Sequence, residues 1–337
     1  MVTIRGGRSR AVVRRARWNA ACLYKPRVDR DSSSIQRTRV VIYLSRLFRG
    51  LLAQARWASE PLLDDPEIHR VAGEPVRIGA ALSRPREIRV VSWNIARGAQ
   101  FDEVLDVLAT LDADVHALQE VDWGCRRSGD RNIARDLAEA LGMNWVFAGE
   151  FQELGEGRHR RPALTGQSIL SRYPISEASV LGFKSQASMR WRLDPFQPRR
   201  GGRIVLCARS CGVVIYNAHI ESARNDRLRA RQVDEMLADY VRIHGPAAPV
   251  ILAGDLNTGP AVRSPVVQSI VSEGFADALG HASDSRKTAV RHRHPLDWIF
   301  VKHLESREGA VSHHGEASDH YPLRVTIRVP PFDAVMP

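Results

Sequence analysis

The sequence has few cysteines, no long apolar run and no internal repeat. Its four cysteines form no CxxC pair, and a chain of 337 residues can fold without disulfides. We therefore expect reduced thiols in a cytosolic protein and no structural zinc site. A run of about 18 apolar residues is missing, which excludes a transmembrane helix. The arginine-rich start is not followed by an uninterrupted apolar segment, which disfavours a secretory signal.

Acidic residues are scarce at the start of the chain, and their scarcity explains most of its basic charge. The whole sequence carries a formal net charge of +11 at pH 7. Residues 1–39 hold ten Arg and one Lys against two Asp, so this segment carries +9 and the rest of the chain +2. The basic charge belongs mainly to an amino-terminal arm. It is not evidence that the folded part binds nucleic acid.

Composition predicts four successive regions. Residues 1–35 are arginine-rich and predict a disordered arm, with contact to a nucleic acid or an anionic surface as the alternative. Residues 36–86 predict an amphipathic helix over 36–58, followed by a proline-containing linker. Residues 87–330 are predicted to form one folded domain, and residues 331–337 a tail. The basic helix has two interpretations: peripheral contact with a membrane, or docking on its own domain or a partner.

Alternating β-rich and helical patterns organise the predicted domain. Strands are predicted at 88–95, 115–118, 144–151, 166–171, 177–184, 203–209, 212–219, 250–254, 296–301 and 322–329. Helices are predicted at 101–111, at about 130–141 with Asp130 as its cap, at 225–243 with Val241 facing inward, and near 262–274. Hairpin-like neighbours combined with helical crossovers predict an α/β (α+β) fold of two packed mixed β-sheets, with helices outside.

Polar side chains interrupt or follow six of the apolar strands. They are Asn94, Glu120, His219, Asp255 with Asn257, Asp297, and Ser318-Asp319-His320. A polar group in an apolar strand is costly to bury unpaired, and a single one is usually a satisfied core group. Six sets at strand ends predict instead that these residues converge on one cleft at the edge of a sheet.

The types of these residues suit the hydrolysis of a phosphate ester. The carboxylates of Glu120 and Asp319 favour Mg²⁺, with Mn²⁺ as the alternative, over zinc. Asn94 and Asn257 can orient a carboxylate or donate to a phosphate oxygen without adding charge. Asp255 is placed to orient or deprotonate the attacking water.

Two histidines complete the predicted site. Asp297 and His320 form a carboxylate–imidazole pair, in which the carboxylate fixes the ring tautomer and favours the imidazolium. His219 supplies a second imidazole, which can donate to the phosphate or to the leaving oxygen. The sequence has no motif of an activated Ser or Cys nucleophile, so we predict direct attack by water without a covalent enzyme intermediate.

Seven short strings carry a resemblance to a known family. They are SWNI at 92–95, LQEVD at 118–122, GQSILSRYPI at 166–175, YNAHIES at 216–222, GDLNTGP at 254–260, LDWIFV at 296–301 and SDHYPL at 318–323. Residues 88–329 thereby resemble the endonuclease/exonuclease/phosphatase superfamily, which has the DNase I-like fold. The resemblance implies a four-layer α/β/β/α sandwich and hydrolysis of a phosphodiester or a phosphomonoester.

The resemblance also implies roles for individual residues. By motif position it implies a metal site of Asn94, Glu120 and Asp319, phosphate contacts from Asn94, Gln167 and Asn257, and catalytic roles for His219, Asp255, Asn257, Asp297 and His320. Gln167 departs from the Asn that the family often carries at that position. The GD-x-N-x-R pattern of inositol polyphosphate phosphatases is absent, because Thr258 and Gly259 follow Asn257.

Three arginine-rich loops have two interpretations each. They lie at 155–162, 199–203 and 286–294, and the last also contains His292 and His294. One interpretation is contact with a phosphate backbone or a lipid head group, and the other is solvated surface charge.

The sequence thus predicts a metal-dependent phosphoesterase that cleaves a phosphodiester, of nucleic acid or phospholipid type, by in-line water attack. One alternative is a phosphomonoesterase acting on a small phosphorylated metabolite or an inositol lipid. Another is a non-catalytic binding module on the same fold. We expect a monomeric catalytic domain in the cytoplasm, with a membrane-peripheral location through residues 36–58 as the alternative.

Overall fold

The computed structural model describes residues 61–74, 85–158, 161–187, 198–222, 225–258, 264–280, 286–313 and 316–330. The predicted arm at 1–35, the predicted helix at 36–58 and the predicted tail at 331–337 lie outside these ranges. Within them, no helix is long and apolar enough to cross a membrane.

The described part of the chain forms fourteen strands and five helices. The strands are β1 Val71–Glu74, β2 Glu87–Arg97, β3 Val115–Trp123, β4 Asn144–Glu153, β5 Leu164–Ser171, β6 Ile175–Gly182, β7 Arg199–Gly201, β8 Ile204–Ser210, β9 Val213–His219, β10 Val250–Asp255, β11 Ala276–Asp277, β12 Asp297–Lys302, β13 Glu305–Val311 and β14 Leu323–Arg328. The helices are α1 Asp65–Ile68, α2 Phe101–Leu111, α3 Ile133–Leu141, α4 Asp226–His244 and α5 Pro265–Ser272.

The strands form two mixed sheets, which confirms the predicted fold class. The first sheet has the order β1-β4-β5-β3-β2-β14-β13, with β7 also beside β4. The second has the order β11-β12-β10-β9-β8-β6. The β2–β3 and β9–β10 pairs are parallel, and the other neighbours are antiparallel. Each sheet therefore has one parallel pair at its centre, where strand ends can meet.

Side-chain alternation explains why the sheets stack between two helical layers. In β2, Ile88 and Val90 belong to the apolar cluster that joins both sheets, whereas Val91 and Trp93 belong to the cluster with α2 and α3. A third cluster joins the other face of the second sheet to α4 and α5. The predicted four-layer α/β/β/α sandwich is thus confirmed.

The predicted linker is wrong for residues 65–74. These residues form α1 and β1, and β1 pairs antiparallel with β4 at the edge of the first sheet. Asp64 caps the helix by accepting a hydrogen bond from the backbone of Glu67. Elements of four residues are too short to show a periodicity, so sequence patterns missed both.

Three smaller expectations also need correction. The cap of α3 is Asn132, which accepts from the Arg135 backbone, and not Asp130. Val241 on α4 is exposed, because it lies one position beyond the inward face that ends at Tyr240. The strand β13 was not predicted, since three of its seven residues are charged and it forms a sheet edge.

Candidate active site

Three neighbouring strands of the second sheet present a row of functional side chains. The register pairs Asp255 with His219 on β9 and with Asp297 on β12. Gly254 permits this close approach: a Cβ there would lie 1.8 Å from the Ala218 carbonyl oxygen, and its φ of +146° disfavours other residues. The predicted convergence of these three residues therefore follows directly from the strand register.

The first sheet contributes Asn94 and Glu120, although not from strand ends. Both strands continue past these residues, and each is bulged at this point. The β2–β3 register shifts between Asn94 and Arg97, and the β3–β5 register shifts between Leu118 and Val121. Glu120 itself has a φ of +51°. A bulge bends the strand and re-aims side chains, so the predicted residues are right but the predicted strand ends are not.

The amide of Asn94 links the two sheets. Its Nδ2 donates to Asp255 Oδ2 at 3.2 Å and lies 3.4 Å from Glu120 Oε1. Its Oδ1 accepts from the backbone of Ala96 at 3.1 Å, which fixes the orientation of the amide. One carboxylate from each sheet is thereby held by a single neutral group.

The predicted Asp297–His320 pair is present. Nδ1 of His320 lies 2.9 Å from Asp297 Oδ2, and its Nε2 lies 3.7 Å from Asp255 Oδ2. Burial lowers the pKa of His320, but the Asp297 and Asp255 carboxylates outweigh that effect and raise it to about 10. His320 is therefore an imidazolium at neutral pH.

The backbone of His320 is fixed by two side chains. Nε1 of Trp93 donates to the His320 carbonyl oxygen at 2.9 Å. The Ser318 hydroxyl donates to the Asn94 carbonyl oxygen at 2.7 Å and accepts from the His320 backbone at 3.1 Å. Ser318 thus ties the loop before β14 to the bulge in β2.

His219 also lies beside Asp255, but its pKa is shifted in the opposite direction from that of His320. It is buried, its Nε2 lies 3.6 Å from Asp255 Oδ2, and its Nδ1 lies 3.9 Å from Glu150 Oε2. Within the described structure that Nδ1 has no hydrogen-bond partner. Burial, followed by the charges of Arg203 and His320, holds the pKa of His219 well below its usual value. The ring is therefore neutral.

Glu150 does not raise the pKa of His219, because its carboxylate is already bonded to Arg203 and Gln167. Arg203 Nη1 donates to Glu150 Oε2 at 3.1 Å, and Gln167 Nε2 donates to Glu150 Oε1 at 3.0 Å. Burial raises the pKa of Glu150, while the Arg203 charge and the Gln167 hydrogen bond oppose that rise. Gln167 also donates to the Ile204 carbonyl and accepts from the Leu206 backbone. The predicted phosphate contact of Gln167 is therefore corrected: its amide is fully used in orienting Glu150.

Asp255 lies between the two imidazoles. Burial raises its pKa to about 7, although the charge of His320 and the hydrogen bonds from the Asn257 backbone and Asn94 act in the opposite direction. The Asn257 backbone donates to Asp255 Oδ1 at 3.0 Å, and its side chain donates to the Ile220 carbonyl at 3.2 Å. Asn257 therefore orients the Asp255 carboxylate through its backbone, and its predicted phosphate contact stays a prediction.

These groups surround a small cavity of about 170 Å³. Its lining consists of Arg97, Glu120, Glu150, Phe151, Glu153, Thr165, Arg199, Arg203, His219, Ser222, Asp255, Asn257 and His320. The guanidinium of Arg199 lies 4.2 Å above the Phe151 ring. The cavity is polar and contains both cationic and anionic groups, which suits a charged ligand better than an apolar one.

Comparison with known proteins fits this geometry. The model of the Endonuclease/Exonuclease/phosphatase family matches residues 91–320. The chain belongs to this family. Members of the endonuclease/exonuclease/phosphatase family are hydrolases of phosphate esters, and they generally depend on a divalent metal.

Solved structures with the family's fold are similar along most of the chain. An endonuclease/exonuclease/phosphatase from Beutenbergia cavernae shares 20% identity over 73% of this chain and 72% of that one, with a TM-score of 0.54. The human Nocturnin catalytic domain, with bound sulfate, shares 18% identity over 79% and 99%, with a TM-score of 0.54. A mannosyl-6-phosphatase from Bacteroides thetaiotaomicron shares 18% over 71% and 99%, with a TM-score of 0.51. At these identities the likeness shows the fold alone.

A divalent metal of the kind the family uses fits one part of the site. Glu120 lines the cavity, and its carboxylate and that of Asp255 both lie beside the Asn94 amide. Hard carboxylate oxygens are ligands that Mg²⁺ prefers, and Asn94 turns its NH₂ group toward both carboxylates, so it orients them. Asp255, Asp297 and His320 also place ligand atoms within 4.8 Å of one another. In that set both carboxylate oxygens of Asp297 are already hydrogen-bonded to His320 Nδ1.

Asp319 lies apart from this group. It is exposed and does not line the cavity, and its carboxylate forms no ion pair with any described residue. Its charge does contribute to raising the pKa of the neighbouring His320. Asp319 thus lies outside the cavity lining, and its role as a metal ligand stays a prediction.

Sequence reasoning missed two important residues of this family member's site, Glu150 and Phe151. Glu150 follows the apolar run WVFAG on β4, a strand whose ten residues are all buried. It therefore satisfied the rule that selected Asn94, a polar group interrupting an apolar strand. Arg203 was noted only as part of a basic loop, because its pairing with Glu150 spans 53 residues and leaves no local signal.

Proposed function

We propose that this protein is a Mg²⁺-dependent phosphodiesterase that hydrolyses its substrate by direct attack of water. The observation that carries the proposal is the position of Asp255, whose Oδ2 lies 3.6 Å from a neutral imidazole and 3.7 Å from a cationic one. A carboxylate with a pKa of about 7 is well matched to accept a proton near neutral pH.

The side chains then have distinct tasks. Asp255 accepts the proton of the water whose oxygen forms the new bond to phosphorus, while the ester P–O bond opposite it breaks. The His320 imidazolium donates to a phosphate oxygen on which negative charge develops. His219, being neutral, offers a hydrogen bond and not a proton to the departing ester oxygen, which leaves as an anion and is protonated by solvent. Glu120, whose carboxylate Asn94 orients, would hold Mg²⁺, and the ion would supply charge neutralisation at the phosphate.

Hydrolysis of bis-p-nitrophenyl phosphate tests this proposal. We expect turnover with Mg²⁺ or Mn²⁺, loss of turnover in EDTA, and a fall of at least about a hundredfold in Asp255→Asn and His320→Asn. His303→Asn is the matched control, because His303 is exposed in the turn between β12 and β13 and its ring is hydrogen-bonded to the Pro246 carbonyl. Full activity in EDTA, or wild-type activity in both site variants, would contradict the mechanism.

A second candidate, phosphomonoester hydrolysis, is favoured by the small size of the cavity. A volume of about 170 Å³ with Arg97, Arg199 and Arg203 in its lining suits one phosphate group with two free negative charges. Parallel assays with p-nitrophenyl phosphate and bis-p-nitrophenyl phosphate separate the two candidates. A much larger kcat/KM for the monoester would favour the phosphatase.

A further inference from the structure

A cationic turn lies next to the candidate active site and is not used by the mechanism above. We call residues 287–294 the basic turn. Lys287, Arg291 and Arg293 in it are exposed, and His292 and His294 lie beside them with their rings 5.7 Å apart. At neutral pH the basic turn therefore carries about three positive charges within eight residues.

The basic turn is fixed to both members of the Asp297–His320 pair. Ala289 forms an isolated β-bridge with His320, and the Val290 backbone donates to the Asp319 carbonyl at 2.8 Å. The Thr288 hydroxyl accepts from the Asp297 backbone at 3.1 Å. The turn consequently has a defined position relative to the phosphate that His320 would contact, and it is not a free surface loop.

The charges of the basic turn are not neutralised within the described structure. Arg291, Arg293 and Lys287 form no ion pair with a described carboxylate. By contrast, Arg286 just before the turn pairs with Asp277, and Arg203 in the cavity wall pairs with Glu150. An unneutralised cationic surface attached to a phosphoesterase site attracts an anionic partner.

An aromatic ring adjoins these charges. Tyr321 directly follows His320 and is partly exposed. The ammonium of Lys287 lies 5.9 Å from the centre of its ring, and the His313 ring lies 4.5 Å away. Cations beside an exposed aromatic ring are the combination that binds the phosphates and stacks the bases of a nucleic-acid strand.

Contact with a membrane fits the same surface less well. Among the residues of the basic turn, Val290 is the one large apolar side chain that is exposed, at 44%. A surface that lies in a bilayer interface needs a contiguous apolar face as well as basic residues. The observations therefore favour a polyanion in water over a lipid surface.

We propose that the basic turn and Tyr321 bind the part of a nucleic-acid strand that continues from the phosphodiester being cleaved. This proposal rests on the phosphodiesterase function proposed above and names its substrate class. The cavity accommodates the scissile phosphate, and Arg291, Arg293 and Lys287 contact phosphates further along the strand. The turn affects binding of the polymer and takes no part in bond cleavage.

The test compares Arg291→Gln/Arg293→Gln with the matched control Arg86→Gln/Arg328→Gln. Both pairs remove two exposed positive charges, but Arg86 precedes β2 and Arg328 ends β14. Arg86 is eight residues from Asn94, which is roughly 26 Å along a strand. Binding of a fluorescent single-stranded oligonucleotide is measured at several salt concentrations with the full chain. The arginine-rich arm is common to all three proteins, so its contribution cancels.

We expect the turn variant to bind the oligonucleotide about tenfold more weakly at low salt, and its slope of log affinity against log salt to be shallower by about 1.4, the loss of two phosphate contacts. The control should match the wild type. Hydrolysis of bis-p-nitrophenyl phosphate should be unchanged in both variants. Failure of that hydrolysis in the wild type would refute the proposed function, whereas an unchanged oligonucleotide affinity in the turn variant would refute only the role of the basic turn.

Equal oligonucleotide affinity and salt slope in the turn variant and the wild type would overturn the proposal. So would binding to phosphatidylglycerol vesicles that the turn variant loses, combined with no binding of the oligonucleotide. The latter result would identify the basic turn as a lipid-binding surface.

Discussion

Two imidazoles flank Asp255 at nearly equal distances, yet they differ in charge. His320 and His219 place Nε2 at 3.7 Å and 3.6 Å from the same carboxylate oxygen, and each has a second acid behind its other ring nitrogen. The pKa of His320 is raised to about 10, whereas burial and nearby cations lower that of His219. Each histidine lies between Asp255 and a second carboxylate, so the residue types alone do not determine which of the two rings is protonated.

Besides burial, the two histidines differ in what else the second carboxylate of each binds. Asp297 directs both carboxylate oxygens to His320, at 2.9 Å and 3.1 Å. Glu150 is already paired with Arg203 and Gln167, and it remains 3.9 Å from His219. A carboxylate that is neutralised elsewhere cannot stabilise an imidazolium. The asymmetry supplies one proton donor and one neutral ring at a single site.

Removing the acid behind His320 should give the largest effect. In Asp297→Asn the pKa of His320 loses its main source of elevation, so the imidazolium is lost at lower pH. We expect kcat to fall by about two to four orders of magnitude at pH 8. In the wild type, activity that requires the imidazolium should decline only as pH approaches 10, and in the variant this decline should move toward 6.5. An unshifted alkaline limb would show that His320 is not the titrating group.

Removing Arg203, the cation paired with Glu150, should have the next largest effect. Arg203→Met leaves a buried carboxylate without its partner, which costs about 3–5 kcal/mol of unfolding free energy. The double variant Glu150→Met/Arg203→Met removes both charges and should be more stable than Arg203→Met. Unfolding in guanidinium at pH 7 measures both. A double variant that is no more stable than Arg203→Met would show that the two charges are not coupled.

The smallest effect concerns acid stability. Because the folded-state pKa of His219 is lowered, only the unfolded chain takes up this proton as pH falls below about 6.5, so stability is lost toward acid. His219→Asn should remove about 1.4 kcal/mol of that loss per pH unit. His320 acts in the opposite sense: its contribution is present below 6.5 and lost as pH rises toward 10. Guanidinium midpoints at pH 7 and 5.5, with His303→Asn as control, measure the difference.

The fold and most of the site were predictable because they depend on local patterns. Apolar strands ending near Asn94, His219 and Asp255 predicted two sheets whose functional residues meet, and the strand register confirms it. The parts that failed depend on contacts between distant segments. The Gln167 amide is hydrogen-bonded to Glu150 and to β8, and no local sequence pattern predicts these contacts.

A bulge next to Glu120 and the exposure of Asp319 account for the other differences between the predicted site and the observed one. Glu120 lies inside β3, because a register shift next to it replaces the predicted strand end. Asp319 shares its motif with His320, yet it is exposed while its neighbour is largely buried. Adjacent residues point in different directions, so a shared motif does not ensure a shared site.

Because the site is built from two separate sheets, catalytic activity reports whether the two sheets stay packed together. Asn94 and Glu120 come from one sheet, while His219, Asp255 and Asp297 come from the other, and the Asn94 amide joins them at 3.2 Å. If the two layers slide apart, each keeps its own hydrogen-bonded ladder, and circular dichroism barely changes. Turnover stops at once, because the carboxylates no longer share a partner. On warming, activity should therefore be lost at a lower temperature than secondary structure.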